Sequence, residues 1–277
     1  MGVAGGCRSH AAQPAGDAAP VAPARRIVSL APSLSEIVFA LGAGGALIGV
    51  DDYLDLPEAA QLPRVGGLLN PNLERVLSLR PDLVLMVHSF RSAADRLRDA
   101  GLRVAVVPNE SLDDLDAAVA SVGALTGRET EATALRKSLL DEMRAVAATV
   151  AGRPRPRVAF VLDHRPGSLA DLYVAGRASF LTRVVELAGG DNVFGDVASG
   201  AARIGAEEML RRAPEVILDS TKGDVAAAWR TLPVLPAVRD GRVLAVFDEK
   251  LIVPGPRVAR ATRRIAALLH PEAFGGK

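Results

Sequence analysis

Cysteine is almost missing from this chain: Cys7 is the only one in 277 residues, so no internal disulfide can staple the fold. That leaves the compartment open, because large extracytoplasmic proteins can do without disulfides. Long apolar runs are missing too. The longest, Leu83 to Val87 and Val158 to Leu162, have strand length, far below the roughly 20 residues a membrane helix needs. Excess charge is absent, with 33 Lys and Arg against 32 Asp and Glu. This balance argues against DNA or RNA as the main partner, since those need a concentrated basic face. Histidine is scarce, with four in the chain and two of them, His10 and His270, near the ends. A transition-metal site needs three or four clustered ligands, so a resident metal is not expected. No Gly-x-Ser-x-Gly elbow, Walker A loop or His-Glu-x-x-His motif occurs.

What is present is a soluble, globular composition, 49% hydrophobic and 23% charged, in a chain long enough for two ordinary domains. Residues 1–24 stand apart. They are rich in alanine and proline with little to pack, and read as a flexible leader or tether. Ala4-Gly5-Gly6-Cys7 looks like the end of a bacterial lipoprotein signal, which would make Cys7 a lipidation site and a peripheral membrane anchor. The alternative is an incidental tail cysteine, since the apolar stretch of such a signal does not precede it.

From Arg26 onward short apolar strands alternate with helical patterns, the signature of a mainly parallel sheet covered on both faces. Strands are expected at 27–30, 47–50, 83–87 and 104–107, and again at 157–162, 172–174, 216–218 and 243–246. Ser33 with Glu36 three residues on predicts a capping box for the first helix, and the helix beginning at Ser111 should end near Gly123. Residues 128–150 hold one long helical pattern without glycine or proline, halted at Gly152-Arg153-Pro154. It predicts a rigid connector between two lobes, with a crossover inside one sheet as the alternative. The domains expected are a lobe at 25–127, a connecting helix at 128–152 and a second lobe at 153–277.

One phrase occurs in each half. Residues 73–85 and 206–218 both place a glutamate in the first turn of a short helix, followed by proline, an acid and an apolar strand. Stopping a helix and starting a strand explains the proline, but not the recurrence of the whole phrase.

These residues carry a resemblance. Arg26-Ile27-Val28-Ser29-Leu30-Ala31-Pro32-Ser33 with Glu36, and Gly66-Gly67 through Asn70-Pro71-Asn72-Leu73-Glu74 into Arg80-Pro81-Asp82, resemble the periplasmic binding proteins of vitamin B12, haem and iron-siderophore importers. Trp229 through Leu235-Pro236-Ala237-Val238-Arg239-Asp240-Gly241 agrees, and the likeness spans nearly everything from Arg25 to Leu269. It implies an α/β fold of two Rossmann-like lobes on one long helix, with the solute between them and no enzymatic step. It also implies a monomer in the periplasm, or on the outer face of the cytoplasmic membrane, that delivers its solute to ABC importer membrane subunits. Within this family the acids at Glu74 and Glu207 are expected to dock on the permease; read alone, each also suits a helix N-terminus.

Loops leaving strand ends should line the cleft. Ala31, Pro32, Tyr53, Gly67, Leu68, His88, Tyr173, Phe247 and Pro254 are therefore the expected ligand contacts. Tyr53 and Tyr173 have a core role as the alternative, and His88 a structural one. The Asn70 to Glu74 phrase looks most like cobalamin binders, so a corrinoid is the favoured solute, with no protein-bound cofactor. Leu68 and Leu69 stand where many haem binders place tyrosine. Arg165, Arg203 and Arg257 are candidates for meeting an anionic siderophore if they converge. An enzyme using His88 or Asp163-His164 is the rival of a different class.

Overall fold

The computed structural model describes residues 22–67, 70–88, 91–165, 167–247 and 253–275; Cys7 and Leu68 lie outside them. The first half forms strands β1 (Ile27–Ser29), β2 (Leu47–Val50), β3 (Leu83–Val87) and β4 (Val104–Val107), with helices α1 (Pro32–Ala40), α2 (Leu73–Ser78), α3 (Arg91–Asp99) and α4 (Leu112–Thr126) between and after them. Helix α5 (Glu129–Thr149) follows. The second half holds β5 (Arg157–His164), β6 (Leu172–Ala175), α6 (Phe180–Leu187), β7 (Asp191–Asn192), β8 (Ala201–Ile204), α7 (Ala206–Arg212), β9 (Val216–Asp219), α8 (Val225–Trp229), α9 (Pro236–Arg239), β10 (Val243–Ala245) and α10 (Val258–Leu269).

Each half builds its own sheet. The first runs β2-β1-β3-β4, all parallel. Alternate residues of β3 go to opposite cores: Leu83, Leu85 and Val87 pack with α1 and α4, while Val84 and Met86 pack with α2 and α3. Both faces are covered, which is why the strand is apolar at every position. The second sheet runs β10-β9-β5-β6-β8, with β7 beside β5. Its β10, β9 and β5 are parallel, but β6 and β8 turn back as an antiparallel edge. The sheets are thus mainly parallel with one antiparallel edge, and β8 carried no sequence signal because its residues alternate only between exposed and half-buried.

The 21 residues of α5 span about 31 Å. The helix packs on α4 in one half and on α6 and α10 in the other. Gly123 lies within α4 rather than ending it. A Cβ there would stand 2.5 Å from that of Ala132, so glycine lets α5 close against α4, and the helix stops at Gly127 in the left-handed region. One apolar cluster consequently runs from Ile27 and Leu34 through Leu139, Met143 and Val146 to Val184 and Ile265. The two lobes share a continuous core along this side.

The capping box expected at Ser33 and Glu36 is not formed. Ala31 is the N-cap and Pro32 takes the first turn. Ser33 is buried, and Glu36, also buried, is paired with Arg257 of the other lobe. A buried carboxylate gains more from a guanidinium than from a backbone amide.

Candidate solute cleft and docking surface

The carboxyl edges of the two sheets face one another, as the contacts between them establish. The carbonyl of Glu110, just beyond β4, accepts from the amide of Phe180 at the start of α6, at 2.8 Å. The Glu36–Arg257 pair joins α1 to the start of α10, and Gly255 packs so closely that a Cβ would lie 3.1 Å from Glu36 Oε2. Open α/β sheets hold ligands at this edge, where loops diverge between adjacent strands.

On the first lobe, Tyr53 stands on the turn after β2. Asp51 Oδ1 accepts from the Tyr53 amide at 2.9 Å, and Asp52 Oδ1 accepts from the Gly66 amide at 3.1 Å, tying this turn to the 64–72 loop. A Cβ on Gly67 would come within 2.8 Å of the Tyr53 ring, so the ring lies over the glycine. The ring is 73% exposed, which removes the core alternative. Ala31 is buried and Pro32 half-buried, so Ala31 offers the cleft little beyond its backbone. His88 is exposed at the end of β3.

On the second lobe, Tyr173 of β6 is 45% exposed. With Asp163, His164, Arg165, Asp171 and Arg203 it lines a cavity of about 440 Å³ at the end of β5. Arg165 and Arg203 thus line one cavity. Arg203 is held by Asp171, with Nε to Oδ1 at 2.8 Å. Arg257 does not join them, because Glu36 holds it at the lobe junction. Phe247 is partly exposed, and Pro254, three residues before Arg257, is half-buried.

His164, one of the candidate bases of the enzyme alternative, is instead structural. Its Nδ1 faces the Arg165 carbonyl at 2.9 Å and its Nε2 faces Asp219 Oδ2 at 3.0 Å. The same carboxylate oxygen accepts from Trp229 Nε1 at 2.7 Å, and Asp219 Oδ1 accepts from the Thr221 amide at 2.8 Å. His164 and Asp219 are both buried, with the ring edge-on to Trp229. This is a satisfied polar core holding the ends of β5 and β9 in register.

Sequence reasoning missed Asp51. Burial pushes its carboxyl from 3.8 up to about 6 against the opposing pull of the Tyr53 amide and Arg64, and its Oδ2 has no hydrogen-bond partner. An acid directly after the apolar run Leu47-Ile48-Gly49-Val50 was the available signal.

Glu74 and Glu207 are both exposed in the first turn of α2 and α7, and among the described residues neither side chain makes a hydrogen bond or ion pair. Glu208, next to Glu207, is by contrast tied to Arg211 and Arg212. Leu73 and Leu77 flank Glu74 and are 36% and 38% exposed.

A family model described as periplasmic binding protein matches residues 27–247. A cobalamin-binding protein of Halobacterium salinarum is 31% identical over 262 residues, covering 88% of this chain and 69% of the relative. The crystal structure of the periplasmic vitamin B12 binding protein BtuF of Vibrio cholerae superposes with a TM-score of 0.76 at 25% identity, covering 91% of this chain and 98% of that one. A periplasmic haem binding protein from Pseudomonas aeruginosa gives 0.78 at 30% identity, covering 90% and 93%.

Proposed function

Because the chain belongs to the periplasmic binding protein family, we propose that it carries a corrinoid between its lobes to an ABC importer. It is a solute-binding protein of the vitamin B12, haem and siderophore class rather than an enzyme, and proteins of this class use no cofactor of their own. In this reading the lobes are residues 25–127 and 153–277, joined by the helix 128–152. It works outside the cytoplasmic membrane as a monomer, with Cys7 as an anchor.

The observation that carries the ligand reading is the pair of exposed tyrosines, Tyr53 on the turn after β2 and Tyr173 on β6. Each presents a flat apolar ring with a polar tip, which suits a large, flat, polar-rimmed solute held between them. Gly67 lets the Tyr53 ring lie close against the 64–72 loop, and both are proposed to meet the solute. Leu68, His88, Phe247 and Pro254 complete the proposed contacts. Glu74 and Glu207, exposed and without partners, then meet arginines of the membrane subunits.

Calorimetric titration of the purified chain with cyanocobalamin tests the ligand. Saturable one-to-one binding, weakened at least tenfold by Tyr53→Ala or Tyr173→Ala, is the expected result. No heat and no thermal shift would sink the corrinoid reading. A second reading, an anionic iron chelate or haem, draws on Arg165 and Arg203 lining one cavity with Tyr173, so haemin and a ferric siderophore are the next titrants. Docking is tested separately: Glu74→Lys with Glu207→Lys should abolish uptake while leaving solute affinity unchanged.

A further inference from the structure

Among the described residues, four buried side-chain atoms have no hydrogen-bond partner: Asp51 Oδ2, Asn109 Oδ1, Thr221 Oγ1 and Arg257 Nε. Buried polar atoms are nearly always satisfied, so a set of exceptions asks for an explanation. These four share a position in the fold rather than a single spot. Asp51 directly follows β2, Asn109 lies just beyond β4, Thr221 just beyond β9, and Arg257 is the N-cap of α10 against Glu36 of the other lobe. Three of them follow the carboxyl ends of strands, and the fourth, Arg257, makes the contact between the lobes.

Their chemistry is divided. Asp51 and Asn109, on the first lobe, present oxygen acceptors. Arg257, on the second, presents an N–H donor, and the Thr221 hydroxyl can donate or accept. We propose, on the reading that the solute lies between the lobes, that these groups test the rim of the ligand and select neutral carboxamides over carboxylates. An amide on the rim donates through an N–H to Asp51 or to Asn109 and accepts through its carbonyl from Arg257 or Thr221; because β2 and β4 are the two edges of the first sheet, different amides of one rim serve them. A carboxylate can satisfy only the donors, and it meets Asp51 as a like charge where burial limits screening. The raised position of the Asp51 carboxyl fits this assignment, since an N–H donor brought by the ligand would relieve the buried charge. The four atoms are closed off from solvent, so their partners arrive as the surrounding loops and lobes move on binding.

The test compares two ligands with one corrin body: dicyanocobinamide, whose rim bears amides, and dicyanocobyrinic acid, whose rim bears carboxylates. Calorimetry at pH 7.5 on the full chain should show the amide form binding at least tenfold tighter. Asp51→Asn should narrow that preference at least threefold, and Thr221→Val should weaken the amide form. Circular dichroism on each variant separates lost contact from lost fold. Equal affinity of the wild-type protein for both ligands overturns this inference and leaves the corrinoid reading standing. A preference unchanged in both folded variants overturns its assignment to these residues. Binding of neither ligand overturns the corrinoid reading and this selection with it.

Discussion

The two lobes solve one problem twice with the same parts. In the first, Arg26 at the head of β1 donates from Nε to the carbonyl of Arg80 at 3.0 Å, and its guanidinium also reaches that of Leu79, just after α2. In the second, Arg157 at the head of β5 donates to the carbonyl of Arg212, the last residue of α7. The acid after the proline answers in each lobe. Asp82 accepts from the amides of Arg25 and Arg26 at 2.9 and 3.1 Å, and Glu215 accepts from that of Arg157 at 2.8 Å. The residue before each proline, Arg80 or Ala213, has positive φ, at 48° and 44°. They are the two such non-glycine residues among the described residues. The recurring phrase is thus largely a clamp that ends a helix and aligns two strands. Glu74 and Glu207 stay outside it, which is why their exposure without partners needs a separate account.

The lobes differ at the strand beside β1 and β5. In the first lobe β2 arrives parallel, and its end leaves Asp51 Oδ2 buried without a partner. In the second β6 turns back antiparallel, and the neighbouring strand ends hold the satisfied Asp219–His164–Trp229 network. A buried acid at the carboxyl end of a strand can therefore be left with an unpartnered oxygen, as after β2, or be satisfied inside the protein, as at the end of β9.

The largest way to break the comparison is Asp219→Ala. It strands the His164 and Trp229 donors in the core, and a loss of about 3–5 kcal/mol is expected, or roughly 10 °C in Tm, read by thermal melts. Asp51→Asn should do the opposite. With its folded pKa raised from 3.8 to about 6, the native state holds the proton more tightly than the unfolded chain. Stability therefore falls as pH rises through that window, by up to about 3 kcal/mol at pH 7. Asparagine removes this loss, so urea melts should show the variant more stable at pH 7 and level with wild type near pH 3.5. A stability gain independent of pH would refute the assignment.

The clamp comes next. Asp82→Ala removes two amide contacts and Glu215→Ala one; both acids are exposed, so losses of about 1 kcal/mol and somewhat less are expected, in that order, by denaturant midpoint. Equal losses would mean the second amide contributes nothing. Smallest are Arg80→Gly and Ala213→Gly, which relieve the positive φ but loosen the unfolded chain. A net gain of about 0.5 kcal/mol each is expected, and a difference between them would show which copy of the turn is the more strained.

Much of this was legible in the sequence because it is local. Asn72 caps α2, accepting from the Arg75 amide at 2.9 Å, and Ser111 and Asp114 form a capping box on α4. The β3 run and the length of α5 follow from apolar pattern and from where glycine and proline stand. Tyr53 and Tyr173 could be named as cleft candidates from their place at strand ends, but whether they were core or surface could not, since burial depends on what packs above them.

By itself, then, the sequence determined the alternation of strands and helices, the long connector and the doubled Pro-acid phrase, since each rests on contacts within a few residues or on simple periodicity. Only the tertiary structure decided that β6 and β8 run antiparallel and that Glu36 abandons its own helix for Arg257, 221 residues away. It alone decided that Arg165 lines one cavity with Arg203, that His164 is closed into a core network and that Asp51 Oδ2 is buried without a partner. Each of these turns on which groups distant in the chain come together, and a charged or polar side chain takes the partner that best offsets its desolvation, wherever along the chain that partner lies.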